Sequence, residues 1–120
     1  MLVSDIHHVS LNVADTERAL AFYRDLLGLG ELPRPDFGFP GAWLDAGGGQ
    51  QIHLIESTEV PPDVGQHMAF RVADVDDVVG KVRAAGYTAT DPVPVGDTGM
   101  RQAFANDLDG NRVEFTQPAS

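Results

Sequence analysis

The sequence predicts an α+β fold made of two βαβββ modules, a curved mixed sheet with helices on its outer face. Three observations carry this. The segment His8-Val9-Ser10-Leu11-Asn12-Val13-Ala14-Asp15 returns as His67-Met68-Ala69-Phe70-Arg71-Val72-Ala73-Asp74, with the same His and the same Val-Ala-Asp close. An internal repeat sets the architecture ahead of any local detail. In both copies an alternating run leads straight into a helical pattern, and strand-like pieces split by turn signals follow.

Each element has its own reason. Ile6 to Val13 alternates as a strand, with Val9, Leu11 and Val13 on one face and His8, Ser10 and Asn12 on the other. Asp15 is placed to cap a helix that runs to about Leu27, where Gly28 supplies the left-handed stop. Ala19, Leu20, Tyr23, Leu26 and Leu27 recur at helical spacing and are expected to pack on the apolar strand face. Strand-like pieces then follow at Pro33–Asp36, Ala42–Leu44 and Gln51–Glu56, with a Gly47-Gly48-Gly49 turn before the last.

The second copy obeys the same pattern. Met68, Phe70 and Val72 form its apolar strand face, and Asp74 caps a helix carrying Val75, Val78, Val79, Val82 and Ala85 up to Gly86. Its later pieces are Asp91–Val95, Arg101–Ala105 and Arg112–Thr116, with an Asp109-Gly110 turn. Val60-Pro61-Pro62-Asp63 is a stiff polar linker. At 120 residues the chain has no room for two ordinary domains. A single domain over 1–120, built of modules at about 4–58 and 65–118, is therefore expected.

Charge and composition narrow the function. Eight basic and 18 acidic side chains give a net charge of −10, which repels phosphate backbones and anionic lipid. No nucleic acid and no membrane partner is expected. Cysteine is absent, so there is neither a disulfide framework nor a thiol nucleophile. No apolar run approaches the roughly 18 residues that span a bilayer, and the N-terminus lacks a signal-peptide pattern. The expected location is cytoplasmic.

Strand parity assembles the candidate site. In Arg112–Thr116, Val113 and Phe115 take the apolar face and turn Arg112, Glu114 and Thr116 the other way. In Gln51–Glu56, inward Ile52 and Leu54 turn Gln51, His53 and Ile55 the other way. His8, His53, His67 and Glu114 thus all project from the face away from their own helix, and His53 and Glu114 are equivalent positions in the repeat. Joined sheets would let the four converge. Three imidazoles and a carboxylate suit one divalent ion among zinc, nickel, cobalt, iron and manganese. His7 has the opposite parity and reads as structural. Arg34 and Arg101, near the expected rim, are candidate anchors for an anionic substrate; Arg71 is a weaker one. Phe37, Phe39 and Trp43 are candidates to line an apolar pocket, although the equivalence of Trp43 and Phe104 favours core packing for that pair. Asp74, Asp76 and Asp77 read as helix-start charge, not a calcium loop.

The opening run, continued by Arg18-Ala19-Leu20-Ala21-Phe22-Tyr23-Arg24-Asp25-Leu26-Leu27-Gly28-Leu29, resembles the start of the vicinal oxygen chelate superfamily, and Asn106-Asp107-Leu108-Asp109-Gly110-Asn111-Arg112-Val113-Glu114 resembles its closing motif. The resemblance covers essentially the whole chain. It implies a glyoxalase-like fold with a metal in the cleft, His8, His67 and Glu114 falling on the ligand positions. His53 falls where glyoxalase I-like enzymes carry a glutamate that is both ligand and base. This is a departure, though a neutral imidazole, with an ordinary pKa near ~6.5, can also take a proton. The expected function is a metal-dependent glyoxalase I-like lyase or isomerase acting on a small oxygen-chelating carbonyl substrate, with His53 or Glu114 as the shuttling base and a thiol as the candidate cosubstrate. The alternatives are extradiol-dioxygenase-like chemistry, a fosfomycin-resistance-like thiol transferase, or a non-catalytic drug- or metabolite-binding resistance protein. Relatives often pair their subunits, so a homodimer is expected.

Overall fold

The computed structural model describes residues 2–59 and 62–120, so Val60 and Pro61 of the expected linker lie outside the described residues. The chain divides into two compact units, Met1–Pro61 and Pro62–Ser120. Each is a βαβββ unit with a four-stranded mixed sheet, the α+β architecture that the repeat predicts.

In the first unit, β1 (His8–Val13) leads into α1 (Thr16–Leu20), and β2 (Gly30–Leu32), β3 (Gly41–Gly47) and β4 (Gln50–Glu56) complete the sheet. The strand order is β1-β4-β3-β2. Only the β1–β4 pair is parallel. The carboxylate of Asp15 accepts the Arg18 backbone N–H at 3.0 Å, so it caps α1 as its position implied. The helix does not continue as a regular α-helix. Ala21–Leu26 is π-helical, with the Leu27 N–H reaching back to the Phe22 carbonyl at 2.9 Å. The wider turn brings two consecutive residues, Phe22 and Tyr23, into the core together with Ala19 and Leu20. Leu26 and Leu27, assigned to the core at α spacing, are only half-buried. Gly28, at φ 85°, ends the helix.

The second unit repeats the plan with β5 (His67–Arg71), α2 (Val75–Ala84), β6 (Val93–Pro94), β7 (Arg101–Asn106) and β8 (Arg112–Gln117), in sheet order β5-β8-β7-β6. Asp74 caps α2 through the Asp77 N–H at 3.1 Å. Val75, Val79 and Val82 are buried, as are Ala103, Ala105, Val113 and Phe115 of the sheet. Two strands differ from expectation. β2 precedes the Pro33–Asp36 stretch, whose two prolines lack the N–H a ladder needs, and β6 is cut to two residues.

One device recurs in both units. A side chain from the last strand binds the first turn of the helix. Glu56 Oε1 accepts the Thr16 N–H at 2.9 Å and the Thr16 hydroxyl at 3.1 Å, and Gln117 Oε1 accepts the Val75 N–H at 2.9 Å. These contacts occupy helix-start donors that have no partner within the helix. Glu56→Ala is expected to lower stability by about 1–3 kcal/mol, through loss of a part-buried charged acceptor. Leu44→Ala, at a fully buried site, should cost about 2–5 kcal/mol. Urea denaturation checks both, and an unchanged midpoint for either variant contradicts the packing described.

Candidate functional site: paired ligands on parallel strands

The β1–β4 register sets Gln51 opposite His8 and His53 opposite Ser10. The β5–β8 register sets Arg112 opposite His67 and Glu114 opposite Ala69. In each unit the opening histidine and the candidate ligand on the last strand are therefore diagonal neighbours on one sheet face, within reach of each other.

In the first unit the rings of His8 and His53 stack, with centroids 4.0 Å apart and planes 14° apart. Trp43, directly opposite His53 in the β3–β4 register, stacks on its other face at 4.3 Å and 5°. His53 is thus held between two rings, and its Nε2 lies 2.8 Å from Gln51 Oε1. Only 9% of His53 is exposed. Burial pushes its pKa below the ordinary histidine value, and the nearby His8, His7 and Arg34 push it the same way. A neutral imidazole keeps a lone pair for a metal or a proton. His7, expected to be structural, has its Nδ1 3.0 Å from Nδ1 of His8.

In the second unit His67 Nδ1–H donates to the Gly65 carbonyl at 2.8 Å, which leaves the lone pair on Nε2. That atom lies 3.0 Å from Glu114 Oε1. A lone pair facing a carboxylate requires a proton or a cation between them. A carbonyl that fixes the tautomer of a ligating histidine is the usual support for a metal ligand. Among the described residues no group of three or more His, Asp or Glu side chains is placed to take a metal. The donor chemistry of both pairs fits a divalent cation.

The other candidates separate. Trp43 lies on the His53 face, whereas its neighbours Ala42 and Leu44 are buried, so the expected core role for Trp43 is corrected. Phe104, its equivalent, likewise meets His67 edge-on at 5.3 Å. Alternation places the even-numbered β3 residues in the core and turns Trp43 to the site face. Arg34 bonds the Phe39 carbonyl at 3.1 Å and lies over the rings of Phe37 and Phe39, and Phe37 lies 6.0 Å from Trp43. Arg34, Phe37 and Trp43 thus form one cluster that ends at His53. Arg101 is held instead by Asp76 of α2 at 2.6 Å. Gln51 and Arg112 were not singled out from the sequence, and Phe104 was read only as core. Their signal was there, since Gln51 shares parity with His53 and Arg112 with Glu114.

The sequence profile of the Glyoxalase/Bleomycin resistance protein/Dioxygenase superfamily matches residues 5–115. The chain belongs to that superfamily. It is 33% identical to the lactoylglutathione lyase of Haemophilus influenzae over 96% of this chain and 93% of that protein. Among solved structures it is similar to TnmS3, an antibiotic binding protein from Streptomyces sp. CB03234, with 25% identity, a TM-score of 0.82 and 99% of both chains covered. The fosfomycin resistance protein FosX from Listeria monocytogenes has the same fold, with a TM-score of 0.85 at 19% identity over 98% of this chain and 95% of that one. No helix among the described residues is long and apolar enough to cross a membrane.

In chelator-treated protein the ring protons of His53, followed by NMR, should titrate below the ordinary histidine value of 6.5. Titration at or above that value contradicts the enclosure of this ring.

Proposed function

We propose that the protein is a divalent-metal-dependent lyase of glyoxalase I type, acting on a small carbonyl substrate with neighbouring oxygens. The observation that carries the reading is the repeated diagonal pair, His8 with His53 and His67 with Glu114. The match to a lactoylglutathione lyase over nearly the whole of both chains supports it. His8, His67 and Glu114 would hold the metal, with His53 as ligand or base. Bound there, a divalent ion would polarise the two substrate oxygens as a Lewis acid.

The side chains supply the rest. With Gln51 Oε1 accepting from His53 Nε2–H, the lone pair of His53 resides on Nδ1. That atom takes the proton from the carbon next to the substrate carbonyl and returns it to the adjacent carbon. The exchange balances when the hydroxyl proton of the adduct also passes to the former carbonyl oxygen: one C–H and one O–H bond break, one of each forms, and the histidine ends neutral. Trp43 and His8 hold the ring between them, so proton transfer costs little reorientation. Glu114 is kept for His67 and the metal. The substrate class proposed is the adduct of a 2-oxoaldehyde with a thiol cosubstrate, which the likeness to a lactoylglutathione lyase supports.

Protein treated with a chelator should not turn over the adduct of methylglyoxal and glutathione, and nickel, zinc, cobalt or manganese should restore the activity. His53→Ala should lower kcat by about 10²–10⁴-fold with metal still bound. His67→Ala should lose metal affinity along with activity. Full turnover by metal-free protein overturns the proposal. A second reading, capture of a drug without catalysis, is favoured by the TnmS3 likeness and by the exposed rings of Phe37 and Phe39, which are 50% and 46% accessible. Absence of divalent-metal binding by calorimetry would favour that reading. Oxygen uptake with a catechol and iron(II), or fosfomycin resistance on overexpression, would point instead to the dioxygenase or thiol-transferase branch.

A further inference from the structure

The second unit contains a cavity of about 520 Å³ whose lining includes Asp63, Thr88, Thr90, Phe104, Asn106 and Arg112. It adjoins the His67–Glu114 pair. Phe104 is opposite Glu114 in the β7–β8 register and touches the His67 ring, and Arg112 is opposite His67. The Arg112 guanidinium lies over the Phe104 ring, 4.3 Å from its centroid. That attraction acts through the ring face and leaves the N–H donors unspent.

Among the described residues of this unit Arg71 and Arg112 are the arginines in no ion pair, and of the two only Arg112 lines the cavity. Lys81 pairs with Asp77, Arg83 with Asp91 and Arg101 with Asp76. Among the described residues, no carboxylate lies within ion-pair distance of Arg112. A half-buried guanidinium that is outside ion-pair distance of every described carboxylate and lines a cavity is set up to receive an acid from outside. Thr90 Oγ1 accepts the Phe104 N–H at 2.9 Å, so its own hydroxyl hydrogen is left to donate into the cavity. Asp63, bonded by Asn106 Nδ2 at 3.3 Å, adds a fixed negative charge to the lining. Asp63 repels a second negative charge in the cavity, which favours a singly charged planar guest over a phosphate dianion.

We infer that this cavity is a carboxylate subsite in which Arg112, backed by Phe104 and helped by Thr90, grips an acid group of the ligand whose reacting end lies at His67 and Glu114. The forked donors of arginine match a carboxylate in two parallel hydrogen bonds. As an anchor for substrate it rests on the lyase reading, deepening it to substrates that carry a carboxylate remote from the reacting carbonyl. As a binding site it stands on its own.

The test is an NMR titration of the full-length, metal-free protein with propionate, propionamide and inorganic phosphate. Propionate should shift the Thr90 and Phe104 amides saturably, and propionamide should not. Arg112→Gln should abolish the response, and Arg112→Lys, which keeps the charge without the fork, should weaken it about tenfold. Circular dichroism checks that the variants are folded, and the lysine variant decides the matter should the glutamine variant unfold. No shift with propionate, equal shifts with propionamide, tighter binding of phosphate, or an unchanged response in Arg112→Gln each overturns the inference. Turnover plays no part in the measurement. A protein that binds propionate yet lacks lyase activity refutes the function alone, and one that turns over the adduct without binding propionate refutes the subsite alone.

Discussion

The parallel pairing of first and last strands carries the rest of each unit. β1 and β4 run side by side in the first unit, as do β5 and β8 in the second. A parallel pair needs a long crossover, and the helix with the two middle strands supplies it. Because side chains alternate across a strand, the register that buries Ile52 and Leu54 on one face must send Gln51 and His53 to the other. The same necessity sends Arg112 and Glu114 away from Val113 and Phe115. A slip of one residue would exchange core and site together, so stability and chemistry depend on the same register.

The two units diverge in how they hold their paired side chains. His53 lies between two rings with little access to water, and burial keeps it neutral. Glu114 faces an imidazole whose tautomer is set by a backbone carbonyl. Under the proposed function the first pair would move a proton and the second would hold positive charge. The aromatic cluster of Arg34, Phe37 and Trp43 belongs to the first unit, and the cavity beside Arg112 to the second.

Much of this was legible in the chain. The repeat gave the unit, alternation gave the faces, and Asp15 and Asp74 marked the helix starts. Three features escaped for physical reasons. The π-helical turn at Ala21–Leu26 has no propensity signature of its own, so α spacing placed Leu26 and Leu27 in the core in place of Phe22. Equivalence to Phe104 favoured core packing for Trp43, whereas the pleat gives the core face to Ala42 and Leu44. Arg101 looked like a substrate anchor because its partner, Asp76, is distant in sequence and was read only as helix-start charge. Arg112 was passed over although its parity matched that of Glu114.

The proposed function requires His8, His67 and Glu114 to bind a divalent cation, with His53 as a further ligand or as the base. X-ray absorption at the metal edge of cobalt-loaded protein tests it most directly, because imidazole rings leave a multiple-scattering signature that can be counted. The account predicts at least two imidazoles with oxygen donors on each ion, a third when His53 is a ligand, and loss of imidazole scattering in both His8→Ala and His67→Ala. A spectrum of oxygen donors alone, or one unchanged by either substitution, would contradict it.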